Sequence, residues 1–373
     1  MKLKLAGSFL IAMMTIAIPA AAARGQASFK MGPIGGAVMT PDNKTLIVSI
    51  TTEAKLAFFD TVNDKEIKKV EMDYQPTVLA IQGKKLIVAT KGSPILRVLE
   101  LDTLKEIKAI KLPGEGVQSI ACHPEKGLVY AVNLQHEVFA VDLVAGTGKK
   151  TAAKGQLIAV DSVDGKSVYT GIQEPMREQL VFQERGGRVM VSLMKANQNA
   201  LMLKYSVNGS DLKLVGLNDN AASNGRGMGL SSDGKLIAMA GGGGWRSKTD
   251  PKVTYAVAVF DTTDMKTIVG LVETGAYPGA VSFHPVLKIG AAYQANPNEP
   301  ELHIFNKKSC AVKEKFKMEK DNSGGTAVLM FGGQGTKVIC GSVGLRNNKE
   351  AVLEFFPLTL TDSDKEALKA AYP

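Results

Sequence analysis

Short runs of alternating apolar and polar residues recur through the chain, separated by clusters of Pro, Asp, Asn and Gly. Such alternation marks half-buried β-strands, and the clusters mark the turns that join them. The runs fall into units of four. The first unit reads Gly35-Gly-Ala-Val-Met, a turn at Thr40-Pro-Asp-Asn-Lys, then Thr45-Leu-Ile-Val-Ser, Lys55-Leu-Ala-Phe-Phe-Asp and Glu66-Ile-Lys-Lys-Val-Glu-Met. The second repeats it as Thr77-Val-Leu-Ala-Ile, Leu86-Ile-Val-Ala-Thr, Leu96-Arg-Val-Leu-Glu-Leu-Asp and Glu106-Ile-Lys-Ala-Ile-Lys-Leu. First turns near residues 41, 82 and 124 set a period of about 41 residues. Asp164-Gly-Lys, Ser232-Asp-Gly-Lys, His284-Pro and Gly333-Gln-Gly-Thr-Lys open four further units, making seven.

Four short strands at this spacing predict an all-β fold, a seven-bladed β-propeller. Each unit buries its faces only against its neighbours, and a closed ring leaves few open edges. Inner strands are expected near residues 35–39, 77–81, 117–121, 157–161, 227–231, 279–283 and 326–331. Unit four is longer by about 25 residues, and an extra hairpin is expected there, Glu178 to Glu184 with Arg188 to Met194. Unit seven lacks a fourth strand. After Pro357 the segment Thr361-Asp-Ser-Asp-Lys-Glu-Ala-Leu reads as a capped, short C-terminal helix. Ser28-Phe-Lys-Met matches Lys315-Phe-Lys-Met, the outer strand of unit six, so residues 28–31 are expected to close blade seven from the N-terminus.

Thr40-Pro-Asp-Asn-Lys-Thr-Leu-Ile-Val-Ser and Ser232-Asp-Gly-Lys-Leu-Ile-Ala resemble the turn-and-strand core of YVTN-type, lactonase-like propellers of the wider WD40-like group. The resemblance spans residues 28–357. It implies the fold and leaves function open, because such blades serve as enzymes, binding modules and surface proteins alike.

Lys2 and Lys4, the apolar run from Leu5 to Ile18, and small residues at Ala21 and Ala23 read as a cleaved signal peptide over residues 1–23. A second cut is available after Ala27. The apolar run of about 14 residues is shorter than the roughly 20 a spanning helix needs. The expected domains are therefore the leader, a propeller over 28–357 and a helical tail over 358–373. The expected mature protein is a monomer, secreted, periplasmic or on the cell surface, with no transmembrane segment. Losing residues 1–23 removes two lysines, so the formal charge falls from +9 to +7. Those lysines that remain are scattered through strands and turns, which reads as a solvated basic exterior without specific nucleic-acid binding. Cys122, Cys310 and Cys340 are odd in number and imply no obligatory disulfide, with Cys310 expected toward the rim.

Candidate chemistry is sparse. Gly-x-Ser-x-Gly and His-Glu-x-x-His are absent, and no metal or cofactor is expected. His123 and His284 precede proline at equivalent turns and read as repeat residues. Arg226, Trp245 and Arg246 fall in loops at one end of the ring, where guanidinium forks and an indole face suit a ligand. The reading is an exported, non-catalytic binding or interaction module for a protein, glycan or small-molecule ligand. A lactonase-like hydrolase or isomerase is the alternative; it would act at the channel mouth through His136, Glu174 and Arg177.

Overall fold

The computed structural model describes residues 27–124, 127–173, 178–185, 188–195, 199–242, 245–246, 253–296, 298–320, 326–342 and 350–373. At 178–185, 188–195, 245–246, 253–254 and 326–327 it describes backbone alone. Seven antiparallel four-stranded sheets form the blades of one propeller. The inner strands are Ile34–Met39, Pro76–Gln82, Val117–Cys122, Leu157–Val160, Gly225–Leu230, Pro278–Phe283 and Thr326–Gly332, each within two residues of its expected place. Blade two shows the plain pattern, Pro76–Gln82 pairing with Lys85–Thr90, Ile95–Glu100 and Glu106–Lys111 in turn.

The repeat motifs have local physical causes. Thr40 Oγ1 donates to Asp42 Oδ1 at 2.6 Å and accepts from Thr45 N–H at 3.0 Å. Ser231 repeats both contacts with Asp233 and Leu236, at 2.6 and 2.9 Å. The hydroxyl–x–Asp spelling thus ties each first turn closed. At the other end of the third strand, Asp60 accepts from Val62 and Asn63 N–H, and Asp142 accepts from Val144 and Ala145 N–H. These Asx turns explain why the third strand of a unit ends in Asp. His284 staples two blades. Its Nδ1 accepts from Val286 and Leu287 N–H at 3.0 and 2.9 Å, which places the proton on Nε2, and Nε2 donates to Gly335 O in blade seven at 2.9 Å.

Second and third strands are buried almost throughout, and the core lies between blades. Ile87 and Val98 of blade two pack with Val129, Phe139 and Val141 of blade three in one such layer. Blade seven consists of Thr326–Gly332, Lys337–Ser342, Ala351–Pro357 and, as its outer strand, Ala27–Met31 from the N-terminus. The pairing runs Ala27↔Phe355, Phe29↔Leu353 and Met31↔Ala351. Helix α1, Asp362–Ala371, starts at Thr361, whose hydroxyl and backbone N–H form a capping box with Asp364. Leu368 of α1 is buried beside Gly335. Residues 1–26, which hold the expected signal peptide, lie outside the described residues. No helix among the described residues is long and apolar enough to cross a membrane.

All three cysteines are free thiols. Cys310 does lie in a third-to-outer-strand turn, but it is 1% exposed rather than turned to the rim. Its side chain packs against Gly270, where an added β-carbon would come within 2.8 Å, and joins an apolar layer with Val259 and Phe305. A left-handed backbone, φ 57°, folds the turn inward.

Candidate ligand-binding face

Second-to-third-strand connections and blade-to-blade crossovers emerge at one end of the ring, here called the loop face. Where inner strands reach that end, six of the seven carry a β-bulge against their second strand. A bulge gives one strand an extra residue and re-aims its side chain. The extra residues are Gly35, Thr77 with Val78, Gln118, Arg226, Gly279 and Ala327. Arg226 alone among them is charged.

Arg226 is exposed, and its guanidinium lies along the backbone of Gly242. A β-carbon at Gly242 would stand 3.1 Å from Nε and 3.4 Å from Cζ. None of the ion pairs among the described residues engages Arg226. Among the described residues the fork therefore stands at the mouth of the channel without an acidic partner.

A chain of amides joins two residues that the sequence placed in rival sets. His136 sits in the short loop of blade three with φ 63°, and its Nε2 meets Gln156 Nε2 at 3.1 Å. Gln156 Oε1 accepts from Gln173 N–H at 3.1 Å, and Gln173 Nε2 donates to Gly225 O at 2.7 Å, next to Arg226. His136 of the catalytic alternative and Arg226 of the binding set thus lie along one polar arc across blades three to five. Glu137, the acid beside His136 in sequence, is engaged by Lys150 and Asn133.

Blade four's extra hairpin forms from Glu178–Arg185 and Arg188–Lys195, between the second and third strands as expected. Blade five adds a smaller ribbon at the same end, Trp245–Arg246 paired with Val253–Thr254. Trp245 and Arg246 are thereby placed on a ribbon of the loop face. Their side chains, and Glu174 and Arg177 altogether, lie outside the described residues. Two exposed aromatic residues escaped the sequence reading. Tyr255, 48% exposed, precedes the third strand of blade five, and Tyr277, 51% exposed, leads into the inner strand of blade six. Tyr277 holds φ 63°, a conformation costly for a bulky side chain. The signal available was a tyrosine just before Pro278, at a crossover.

No group of three or more His, Cys, Asp or Glu among the described residues is arranged to hold a metal. Burial pushes the Cys310 thiol up to about 11 and Cys122 up to about 12, so neither is a reactive thiolate.

No protein-family pattern and no curated protein sequence matches the chain. Solved structures match its shape. The chain resembles a chain of the mitotic checkpoint complex at TM-score 0.66 and 11% identity, over 96% of this chain and 99% of that one. A chain of Kuenenia stuttgartiensis hydrazine synthase matches at 0.64 and 14%, over 89% and 97%. U3-55K matches at 0.61 and 10%, over 89% and 98%. At these identities the likeness shows the propeller fold alone.

Proposed function

We propose that this chain is an exported, non-catalytic propeller whose loop face is a binding module for a protein, glycan or small ligand. The observation that carries the reading is Arg226, raised on a bulge at the channel mouth without an acidic partner among the described residues, at the same end of the ring as two added ribbons. A rigid ring that displays variable loops at one end is the usual division between scaffold and binding surface. Trp245 and Arg246 belong to the same proposed surface. Export rests on the leader pattern of residues 1–23, and the kinship on the YVTN-type turn motifs quoted above. The hydrolase alternative is the weaker reading. His136 meets an amide, and no described carboxylate orients its ring.

The test is a thermal-shift panel of glycans, peptides and small acids run on the wild type and on Arg226→Ala. A ligand that binds only the folded state raises the melting temperature. Compounds that stabilise the wild type and lose that effect in the variant support the reading. Hits unaffected by Arg226→Ala but abolished by substitutions on the opposite face, or turnover of a lactone by the wild type, overturn it. Mass spectrometry of the chain recovered from a bacterial periplasm should show a new N-terminus at Arg24. An intact Met1 terminus confined to the cytosol would refute export.

A further inference from the structure

Away from the loop face, we propose that the rim of blades four and five is a self-association surface, through which two copies of this chain pair about a two-fold axis, in place of the monomer expected from the sequence. The outer strands of blades one, two, four, five and six each bulge against the third strand, and the extra residues are Ile67, Ile107, Val215, Val269 and Lys313. A bulge disrupts an edge, and charges beside it keep foreign strands away. In blades one and two the extra residue stands between a glutamate and a lysine, and in blade six it is itself a lysine. Blades four and five break this pattern together. Leu214-Val-Gly-Leu217 and Ile268-Val-Gly-Leu271 hold the same place without a charge, and Leu214, Val215, Leu217 and Ile268 are exposed. Between the two blades runs a groove of about 470 Å³, lined by Val215, Gly216, Leu217, Asp219, Asp264 and Lys266.

The occupant that fits is a second copy. A two-fold contact needs a patch that complements itself. Two segments 211–219 laid antiparallel about Gly216 set Val215 against Leu217 of the other copy and Lys213 against its Asp219, twice over. Lys213 and Asp219 are both exposed. The groove's own ionic groups, two aspartates and one lysine, leave one net negative charge, which the incoming Lys213 matches. At the axis stands Gly216, whose missing side chain lets two backbones approach closely. A slip of one residue in either direction sets Lys213 against Asn218 or Asn220 and loses both ion pairs. One strip and one groove from each copy make a small interface, so the dimer is weak and grows with concentration.

Sedimentation velocity of the full chain should show a monomer–dimer equilibrium that moves toward dimer as concentration rises. Val215→Lys should weaken the dimer at least tenfold while leaving the melting temperature of the monomer unchanged. Charge reversal tests the register. Lys213→Asp and Asp219→Lys each set like charges against one another, so each variant alone should be monomeric. Mixed, the two should form a one-to-one heterodimer, and both reversals in one chain should restore the wild-type dimer. A synthetic peptide of residues 211–219 should compete with dimer formation, and a scrambled one should not. A wild-type chain that stays monomeric up to about 1 mM overturns the proposal. So does a dimer that Val215→Lys leaves intact, because it uses another surface. Single reversals that dimerise as tightly as the wild type overturn the pairing about Gly216. Equal competition by the scrambled peptide makes the rim a docking edge for other extended chains and overturns the second copy as its occupant. None of these results bears on the loop face, which fails only by its own panel.

Discussion

His303 lies in the third strand of blade six, 1% exposed, with Nδ1 lacking a hydrogen-bond partner. Its Nε2 stands 3.4 Å from Gln294 Oε1 and 3.3 Å from Glu301 Oε2. The carboxylate would favour the imidazolium, yet burial outweighs it. Burial, with Lys315 adding to it, pushes His303 down from 6.5 to about 4. Burial also lowers His284, whose Nδ1 can accept from Val286 and Leu287 N–H only while the ring is neutral. A histidine whose folded value is depressed takes its proton first in the unfolded chain. Its contribution is therefore whole above pH 6.5 and drains as pH falls toward the folded value. For His303 the loss amounts to ~3 kcal/mol. Urea unfolding of wild type and His303→Gln at pH 7 and pH 4.5 checks this. The variant's stability should fall less between the two pH values, and equal falls would show that the ring is already charged in the fold.

Among the elements, outer strands carry the burden of protecting open edges. Those of blades one, two, three and six read Lys65–Glu71, Glu106–Lys111, Thr147–Lys154 and Val312–Lys317, each with two or more lysines. Lysine along an edge discourages pairing with a second chain. Blade four departs from this. Its outer strand, Asp211–Ser223, has one lysine and leaves Leu214, Val215 and Leu217 at 51, 55 and 41% exposure. Val215 and Leu217 border a groove of about 470 Å³ with Asp219, Asp264 and Lys266. Val215→Lys should lower concentration-dependent light scattering while changing stability by no more than ~0.5 kcal/mol, as surface substitutions do. Unchanged scattering would show that this strip is not sticky. Strand positions and blade four's hairpin were legible in the sequence because period-two alternation and turn chemistry are local. The inward turn at Cys310 and the exposed Tyr277 were not, because each depends on a left-handed backbone set by neighbouring segments. Arg226 was legible as a loop-face residue. The bulge that presents it was hidden, since it appears only against the second strand.

At the scale of the whole molecule, a ring of seven separate sheets is only as cooperative as its closure. Blades one to six each draw their strands from one stretch of chain, whereas blade seven joins the two ends. Ala351–Pro357 is buried along nearly its full length, and without Ala27–Met31 it would face solvent as an apolar open edge. The clasp is built on alternation. Ser28 and Lys30 stay exposed while Phe29 and Met31 turn inward. Met31 is 4% exposed, and the Phe29 ring sits 4.9 Å from Phe59 of blade one and 5.4 Å from Phe355 of blade seven. That aromatic trio spans the seam between first and last blades. Ser28 Oγ adds a bond to Glu319 Oε1 at 2.8 Å from blade six's exit. Burying Met31 is worth roughly 1.5–3 kcal/mol, and half-buried Phe29 contributes a smaller amount of the same kind. A chain beginning at Gly35 should therefore melt several degrees below one beginning at Arg24 and scatter more light at equal concentration. Phe29→Ala in the longer chain separates packing from pairing. It keeps the strand's backbone bonds and removes the aromatic bridge, so its melting temperature should fall between the other two. If the chains beginning at Gly35 and Arg24 melt together, the ring is held by interblade packing and the N-terminal strand only decorates it.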